Sequence, residues 1–501
     1  MISGNKKNRA KCIAVFGTGS DVGKSIIATA LCRFFLKQGY KTVPFKAQNM
    51  SNNSGITPEG LEMGRAQIVQ AEAAGVVPHV DMNPILLKPT SDVGSQVVLH
   101  GKVYENSTAV EYHQKKEHLF NEVAASLDRL REENDIVIIE GAGSCAEVNL
   151  MPHDIVNFRV AEYAKASVIV VADIHRGGVF GQLVGTMSCL PQKYRDLIAG
   201  FIINRFRGDI SLFKEGADWI EDKTGKNVLG TLPWFEHISI EAEDSVVIEK
   251  PVQTVSVGNR DKLIGVIRLP HISNFTDFDP LTALDGIDLI FIEKPCDLSH
   301  LRAVIIPGSK NTRYDLQWLT ETGWAEKIQV YAENKGHVTG ICGGYQILGT
   351  YLHDPDGCEG VPGSSAGLNL LPVETTMKDT KTTTLSSFLW GDTAGTGYEI
   401  HMGRTERNGG SRLFDITTRN RDTVCLEDGC VSEELNVIGT YMHGLFDMKG
   451  ILEKWLDYNG FSDIIVPEVQ GLAAREREYD LLLDHFKKHI DTEFIHSTII
   501  Q

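Results

Sequence analysis

Short apolar runs separated by amphipathic stretches set the pattern of the first half of the chain. Residues 11–16, 42–45, 136–139, 167–172 and 198–203 are too short for helices and lack the in–out alternation of a sheet with one wet face. Continuous apolar runs of this length predict strands buried on both faces, as in a parallel sheet. Residues 26–37 have helical spacing and are closed by Gly39. The pattern lapses over 234–261, where mixed, acidic sequence including Glu236, Glu241, Glu243 and Asp244 predicts a linker. Strand-like runs resume at 263–267, 289–292, 303–306 and 338–341. Near the end, Tyr479, Leu482, Leu483, Phe486 and Ile490 fall on one helical face. The expectation is an α/β protein with two doubly wound domains. The first spans 1–233 and the second 262–450, and a helical tail, 451–501, packs on the second. Ligands of such sheets sit at the carboxyl ends of the strands.

Charge narrows the partners. The 501 residues hold 49 Lys and Arg against 66 Asp and Glu, a net charge of −17. A negative field of that size argues against wrapping nucleic acid or docking on an anionic membrane. It leaves room for anionic small molecules in local basic pockets. The nine cysteines are odd in number and none has C-x-x-C spacing. The first ten residues lack the apolar core of a signal peptide, and no apolar run approaches the ~18 residues that span a bilayer. A reduced, cytoplasmic protein is expected.

The first chemical motif is Gly17-Thr18-Gly19-Ser20-Asp21-Val22-Gly23-Lys24-Ser25, between a predicted strand and a predicted helix. Backbone N–H groups of such a loop cradle phosphates, with the helix N-terminus behind them. Lys24 would reach the β and γ oxygens of ATP, and the Ser25 hydroxyl would ligate Mg²⁺. Gly17, Thr18, Gly19, Asp21, Val22 and Gly23 complete the nucleotide-binding candidates. Five residues separate Gly17 from Gly23, where the strict pattern has four. A Gly-rich turn with a solvated Lys is the plain alternative, and the strand–loop–helix context favours a nucleotide. The longer loop ending Asp-Val-Gly-Lys-Ser resembles that of dethiobiotin synthetase and its relatives, which use ATP to activate a carboxylate-type group. The resemblance implies that Glu140, directly after a buried strand, ligates Mg²⁺ and that Lys46, after the second strand, faces the substrate. Glu62 is a further candidate metal ligand. Asn204, ending another buried strand, is a candidate for reading the base, with a capping role as the alternative.

The second motif is Gly340-Ile341-Cys342-Gly343-Gly344, again between strand and helix. Small residues permit the sharp turn that exposes a nucleophile, and the following helix dipole favours thiolate. The Gly343 N–H and the Gly308 loop are candidate oxyanion donors. Most of the other cysteines suit an inert core role. Among sixteen histidines, His443 stands at the end of a strand and before a Gly, where a base for Cys342 would be. His401 is the next candidate. The two motifs resemble class I glutamine amidotransferases, in which a Cys attacks the glutamine side-chain amide and releases ammonia. Most members carry Glu two residues after the His. Leu445 stands there in this chain, so the third member is either absent or a carboxylate from elsewhere.

A carboxylate activator joined to an ammonia source is a glutamine-hydrolysing amide synthase. The order of the halves and the missing Glu are similar to the cobyrinic and cobyric acid glutamine amidotransferase family of cobalamin biosynthesis. Residues 45–54, 82–89, 173–178, 307–312 and 397–404 look like its cobyric acid-forming branch. That resemblance implies successive amidation of the b, d, e and g side-chain carboxylates of a corrinoid substrate, adenosylcobyrinic acid a,c-diamide, using ATP and L-glutamine. Lys46, Gln48, Asn49, Asn52 and Asn53 form a polar cluster suited to a multi-carboxylate macrocycle, although Asn and Ser favour loops in any case. The a,c-diamide synthases of the same family usually read Lys-x-Gly-Pro-Asp after the second strand, whereas Ala47-Gln48-Asn49-Met50 follows Lys46 here. Two readings from other classes are a P-loop switch ATPase with an inert second module and a regulatory glutamine-binding protein. The switch ATPase would typically carry an extra Lys early in the loop, where this chain has Thr18 and Gly19.

Overall fold

The computed structural model describes residues 9–90, 94–235, 237–241 and 262–499. Two parallel sheets form its centre. The first runs in the order Asn227–Pro233, Ile198–Phe206, Ser167–Asp173, Lys11–Gly17, Ile136–Glu140 and Thr42–Phe45, all parallel. Ile136–Glu140 is buried along its whole length, as its unbroken apolar sequence requires. One face of this sheet is covered by the Lys24–Lys37 helix through Ile27, Leu31 and Phe35. The other is covered by the Ala109–Glu133 and Phe158–Ala164 helices. The second sheet runs Asp288–Ile292, Leu263–Ile267, Ala303–Ile306, His337–Ile341, Val437–Thr440 and Cys430–Val431, parallel except at that last edge. The two-sheet α/β expectation is met.

Three further elements carry strands that the apolar runs did not reveal. Gln48–Met50, Ile85–Pro89, Gly94–Leu99 and Lys102–Thr108 make a four-stranded sheet. Ser54–Ile56 and Glu62–Gly64 make a short antiparallel hairpin. Residues 351–428 build a largely antiparallel sheet around the long pair Val373–Trp390 and Thr393–Arg407.

The tail corrects one expectation. The Gly471–His489 helix packs on the first domain, and not on the second. Tyr479, Leu482, Leu483 and Phe486 share a core with Ile13, Ile27, Leu31 and Phe35. Their apolar face covers the outer face of the Lys24–Lys37 helix, and the polar edges are matched as well. Arg33 Nε donates to Asp480 at 2.8 Å, Arg475 Nε to Glu72 at 2.9 Å, and Tyr479 Oη to Glu72 at 2.8 Å. The preceding Lys449–Tyr458 helix stays with the second domain through Ile451, Leu452, Trp455 and Leu456. Of the expected linker, Glu236, Glu243 and Asp244 lie outside the described residues. Glu241 is described, and it pairs with Arg65 and with Arg475. Among the described residues no helix is long and apolar enough to cross a membrane.

Candidate active sites

The phosphate loop leaves the carboxyl end of the central strand Lys11–Gly17. Gly23 has φ +98°, and a Cβ there would stand 2.0 Å from Asn204 Nδ2, so glycine is required by both backbone and space. The loop then feeds the helix that begins at Lys24. Lys24 Nζ donates to the carbonyls of Gly19 (2.9 Å) and Gly143 (3.0 Å), which holds it across the loop mouth. Glu140, fully buried at the end of its strand, gathers the other groups. Its carboxylate accepts from Ser25 Oγ at 2.7 Å, Lys46 Nζ at 3.0 Å and Gln70 Nε2 at 2.5 Å. Ser25, Lys24, Lys46, Gln48 and Asn49 line a cavity of about 590 Å³.

Ser25 Oγ and the Glu140 carboxylate are adjacent hard oxygen donors. Mg²⁺ takes one or two such protein ligands and fills its octahedron with phosphate and water oxygens, so this pair fits the ion. Among the described residues no group of three or more His, Cys, Asp or Glu could hold a metal unaided.

Several expected residues lie elsewhere. Glu62 does not line the cavity beside the phosphate loop. It is buried on the Glu62–Gly64 strand, where Oε1 accepts from Lys88 Nζ (2.7 Å) and Ser54 Oγ (2.8 Å) and Oε2 from Lys381 of the second domain. Burial alone would raise its pKa, but Lys381 and Lys88 outweigh that and hold the carboxyl far below its usual range. Asn204 sits behind the loop and outside the cavity lining, with Nδ2 donating to the Val22 carbonyl at 2.8 Å, so in this structure it braces the loop. Asn53 also leaves the substrate cluster, because its Oδ1 accepts from Thr276 of the second domain at 3.1 Å. Asn52 is outside the cavity lining as well, with a buried Oδ1 that has no partner among the described residues. Of the loop residues, Ser20, Asp21 and Gly23 line the cavity with Lys24 and Ser25, while Gly17, Thr18, Gly19 and Val22 lie outside its lining. Arg205, which sequence reasoning missed, pairs with Asp21 at 2.8 Å and lines the cavity.

The second site is built from an elbow. Cys342 has φ +52° and ψ −105°, a backbone conformation that a non-Gly residue adopts only under constraint. The constraint is close packing: a Cβ at Gly344 would meet the Ile306 carbonyl at 2.0 Å. His443 follows the strand Val437–Thr440 and is almost wholly buried. Its Nδ1 lies 2.6 Å from Asp277 Oδ2, and its ring lines the same small cavity as Cys342, whose sulfur donates to the Ile400 carbonyl at 3.4 Å. Asp277 Oδ1 also accepts from the Gly444 N–H at 3.0 Å. Burial pushes the His443 pKa down, but Asp277 and then Cys342 favour the imidazolium and raise it to about 10. A carboxylate from elsewhere in the chain therefore stands where the position after His443 offers only Leu445. Its one sequence signal is position: Asp277 lies in a short turn soon after the first strand of the second sheet, between Phe275 and Phe278.

Gly343 lines the thiol cavity, and Gly308 backs the His443 ring, where a Cβ would come within 3.3 Å of Cε1. His401 has both nitrogens engaged, Nδ1 with the Gly403 carbonyl (2.7 Å) and Nε2 with Glu399 (3.3 Å), and is stacked on Tyr441. That leaves His443 as the histidine free to serve Cys342. The first domain reaches this site directly. The Tyr398 ring stacks on His443 with centroids 5.2 Å apart, and its hydroxyl donates to the Ser54 carbonyl at 3.3 Å. Asn274 ties the same two groups together, donating to Tyr398 Oη and accepting from the Ser54 N–H.

Comparison with known proteins agrees with this division. Residues 13–247 match the family described as the CobQ/CobB/MinD/ParA nucleotide binding domain, and residues 263–451 match the CobB/CobQ-like glutamine amidotransferase domain. The chain is 47% identical over 491 residues to the cobyric acid synthase of Chlorobium phaeobacteroides (strain DSM 266 / SMG 266 / 2430), covering 97% of each chain. The chain belongs to the cobyric acid synthase family. The cobyric acid synthase of Chlorobaculum tepidum is 48% identical over 488 residues, covering 96% of each chain. The family member from Dehalococcoides mccartyi (strain ATCC BAA-2266 / KCTC 15142 / 195) is 45% identical over 505 residues, covering 98% of each.

Proposed function

We propose that the chain is a glutamine-hydrolysing ligase of cobalamin biosynthesis. It amidates the b, d, e and g side-chain carboxylates of adenosylcobyrinic acid a,c-diamide, one ATP and one glutamine per amide. The observation that carries this reading is the meeting of Ser25 and Lys46 at buried Glu140, in a chain whose other domain sets Cys342 against His443 and Asp277.

In the first domain, the loop N–H groups and Lys24 bind the triphosphate, and Ser25 with Glu140 would hold Mg²⁺. The ion would neutralise charge on the β and γ oxygens. Lys46 orients a substrate carboxylate, whose oxygen attacks the γ-phosphorus. ADP leaves and an acyl phosphate remains. Ammonia then attacks the acyl carbon, inorganic phosphate departs, and the nitrogen loses its extra proton.

In the second domain, the Cys342 thiolate attacks the glutamine side-chain carbonyl carbon. The Gly343 and Gly308 N–H groups would stabilise the oxyanion. His443, charged beside Asp277, protonates the departing nitrogen. Water, losing a proton to His443, then cleaves the thioester to glutamate and frees the thiolate. Lys46, Gln48 and Asn49 are the residues assigned to the corrinoid carboxylates. The test is incubation of the purified chain with ATP, Mg²⁺, glutamine and adenosylcobyrinic acid a,c-diamide. The corrinoid's mass spectrum should show four carboxylates converted to amides. No conversion of the a,c-diamide, with cobyrinic acid in a parallel incubation amidated only at a and c, would assign the chain to the a,c-diamide synthases, and no conversion of either corrinoid would sink both readings.

A further inference from the structure

Glutamine reaches Cys342 as a zwitterion, so its site needs a cation and an anion as well as a nucleophile. The thiol cavity is lined by three lysines, Lys88, Lys310 and Lys381, and by a single carboxylate, Glu359. Two of the lysines are already engaged. Lys88 Nζ donates to Ser54 and Glu62, and Lys381 Nζ to Glu62 and Gln96. Lys310 differs from both. Its backbone N–H donates to the His271 carbonyl at 2.9 Å, which fixes the residue, yet its Nζ makes no hydrogen bond or ion pair among the described residues. It directly follows Gly308 and Ser309, so the loop that backs His443 also aims this side chain into the cavity. Glu359 is held in place because its Oε2 accepts from the Arg313 N–H at 2.9 Å.

Resting on the glutaminase reading above, we infer that Lys310 binds the α-carboxylate of glutamine and that Glu359 binds its α-ammonium. A half-buried ammonium without a partner is costly, and burial together with nearby Lys88 lowers the Lys310 pKa. An arriving carboxylate removes that penalty, which makes binding selective for amides that carry one. Glu359 is the sole acidic group in the lining, so the two charges of the ligand find one complement each. Lys88 belongs to the first domain, and its positive charge next to Lys310 makes the carboxylate end of the site a product of both domains.

The experiment compares three amides as ammonia sources: glutamine, 4-aminobutanamide, which lacks the α-carboxylate, and glutaramate, which lacks the α-amine. The wild-type chain should prefer glutamine over 4-aminobutanamide by about 10- to 100-fold in kcat/KM, the worth of one charge-assisted hydrogen bond. Lys310→Met should erase that preference mainly through KM, with ammonia-supported synthesis unchanged as the folding control. Lys310→Gln, which keeps length and polarity, covers the case in which the Met variant does not fold. Glu359→Gln should erase the preference over glutaramate. If both Lys310 variants keep the wild-type preference, the inference is overturned. If the wild-type chain makes no amide from glutamine at all, the glutaminase reading falls instead, so the two failures are distinguishable.

Discussion

The two sites solve the same problem, holding charge ready for a reaction, in opposite ways. At the phosphate loop the charged groups hold one another: Glu140 takes Ser25, Lys46 and Gln70, and Lys24 takes two carbonyls. They surround a cavity of about 590 Å³, room for a nucleotide beside part of a large macrocycle. At the elbow the cavity is about 40 Å³, and reactivity is stored in backbone strain at Cys342 and in the buried His443–Asp277 pair. The first site is an open cavity, whereas the second already has its nucleophile, base and orienting carboxylate packed together. Substitutions should therefore separate them by nitrogen source. Defects of the elbow should disappear when free ammonia is supplied, and defects of the loop should not.

Cys342→Ala gives the largest expected effect. Removing a nucleophile costs on the order of 10⁴–10⁶-fold, so glutamine-supported synthesis should vanish while ammonia-supported synthesis persists at raised pH. Loss of both in a folded variant would break the two-site picture. His443→Ala comes next, with a loss of about 10²–10⁴-fold in glutaminase turnover and unchanged ATP binding. Near-normal turnover in this variant would remove His443 from the base role. Lys24→Ala or Glu140→Ala should cost roughly 10²–10³-fold with either nitrogen source, while Cys342 still reacts with a glutamine-like alkylator. With ¹⁸O in the substrate carboxylates, label should reach the released phosphate once per amide. Label held entirely in the corrinoid would exclude the acyl phosphate.

The sequence was legible where one residue type had one physical reason. Buried parallel strands need unbroken apolar runs, and those at 42–45, 263–267 and 303–306 coincide with the observed strands. Gly23 and Gly344 are where only glycine fits. What was hidden depended on distance along the chain. Asp277 lies 166 residues from His443, and no local spacing announces it. Glu62 looked like a free carboxylate until Lys381, 319 residues away, claimed it. Asn53 and Asn204 read as ligand groups, but packing turned one to the domain interface and the other to the back of the loop. The long strand Val373–Trp390 escaped notice because part of it is half-buried and rich in Thr and Ser, without a continuous apolar run. The amphipathic face of the tail helix was visible, but an apolar stripe does not say which of two domains it will cover.

The smallest effect tests whether the elbow carries its own orienting carboxylate, because it changes a group that touches the base and the neighbouring Gly444 N–H. Asp277→Asn keeps the shape but loses the charge that stabilises the His443 imidazolium. Losing one hydrogen bond to a charged group corresponds to about 10- to 100-fold in glutaminase kcat. The sign of the pH effect follows from the direction of the shift. His443 sits at about 10 in the folded chain, above its usual 6.5, so its proton stabilises the fold fully below about pH 6.5. That contribution fades as pH rises toward about 10. The imidazolium that protonates the leaving nitrogen is lost over the same window, which places the alkaline limb of wild-type glutaminase activity near pH 10. Without Asp277 the pKa falls, so the limb in Asp277→Asn should move toward neutral, and Asp277→Glu should restore it in part. A merely structural role for Asp277 would lower activity evenly at all pH values and leave the limb in place. In that case Cys342 and His443 would act as a dyad.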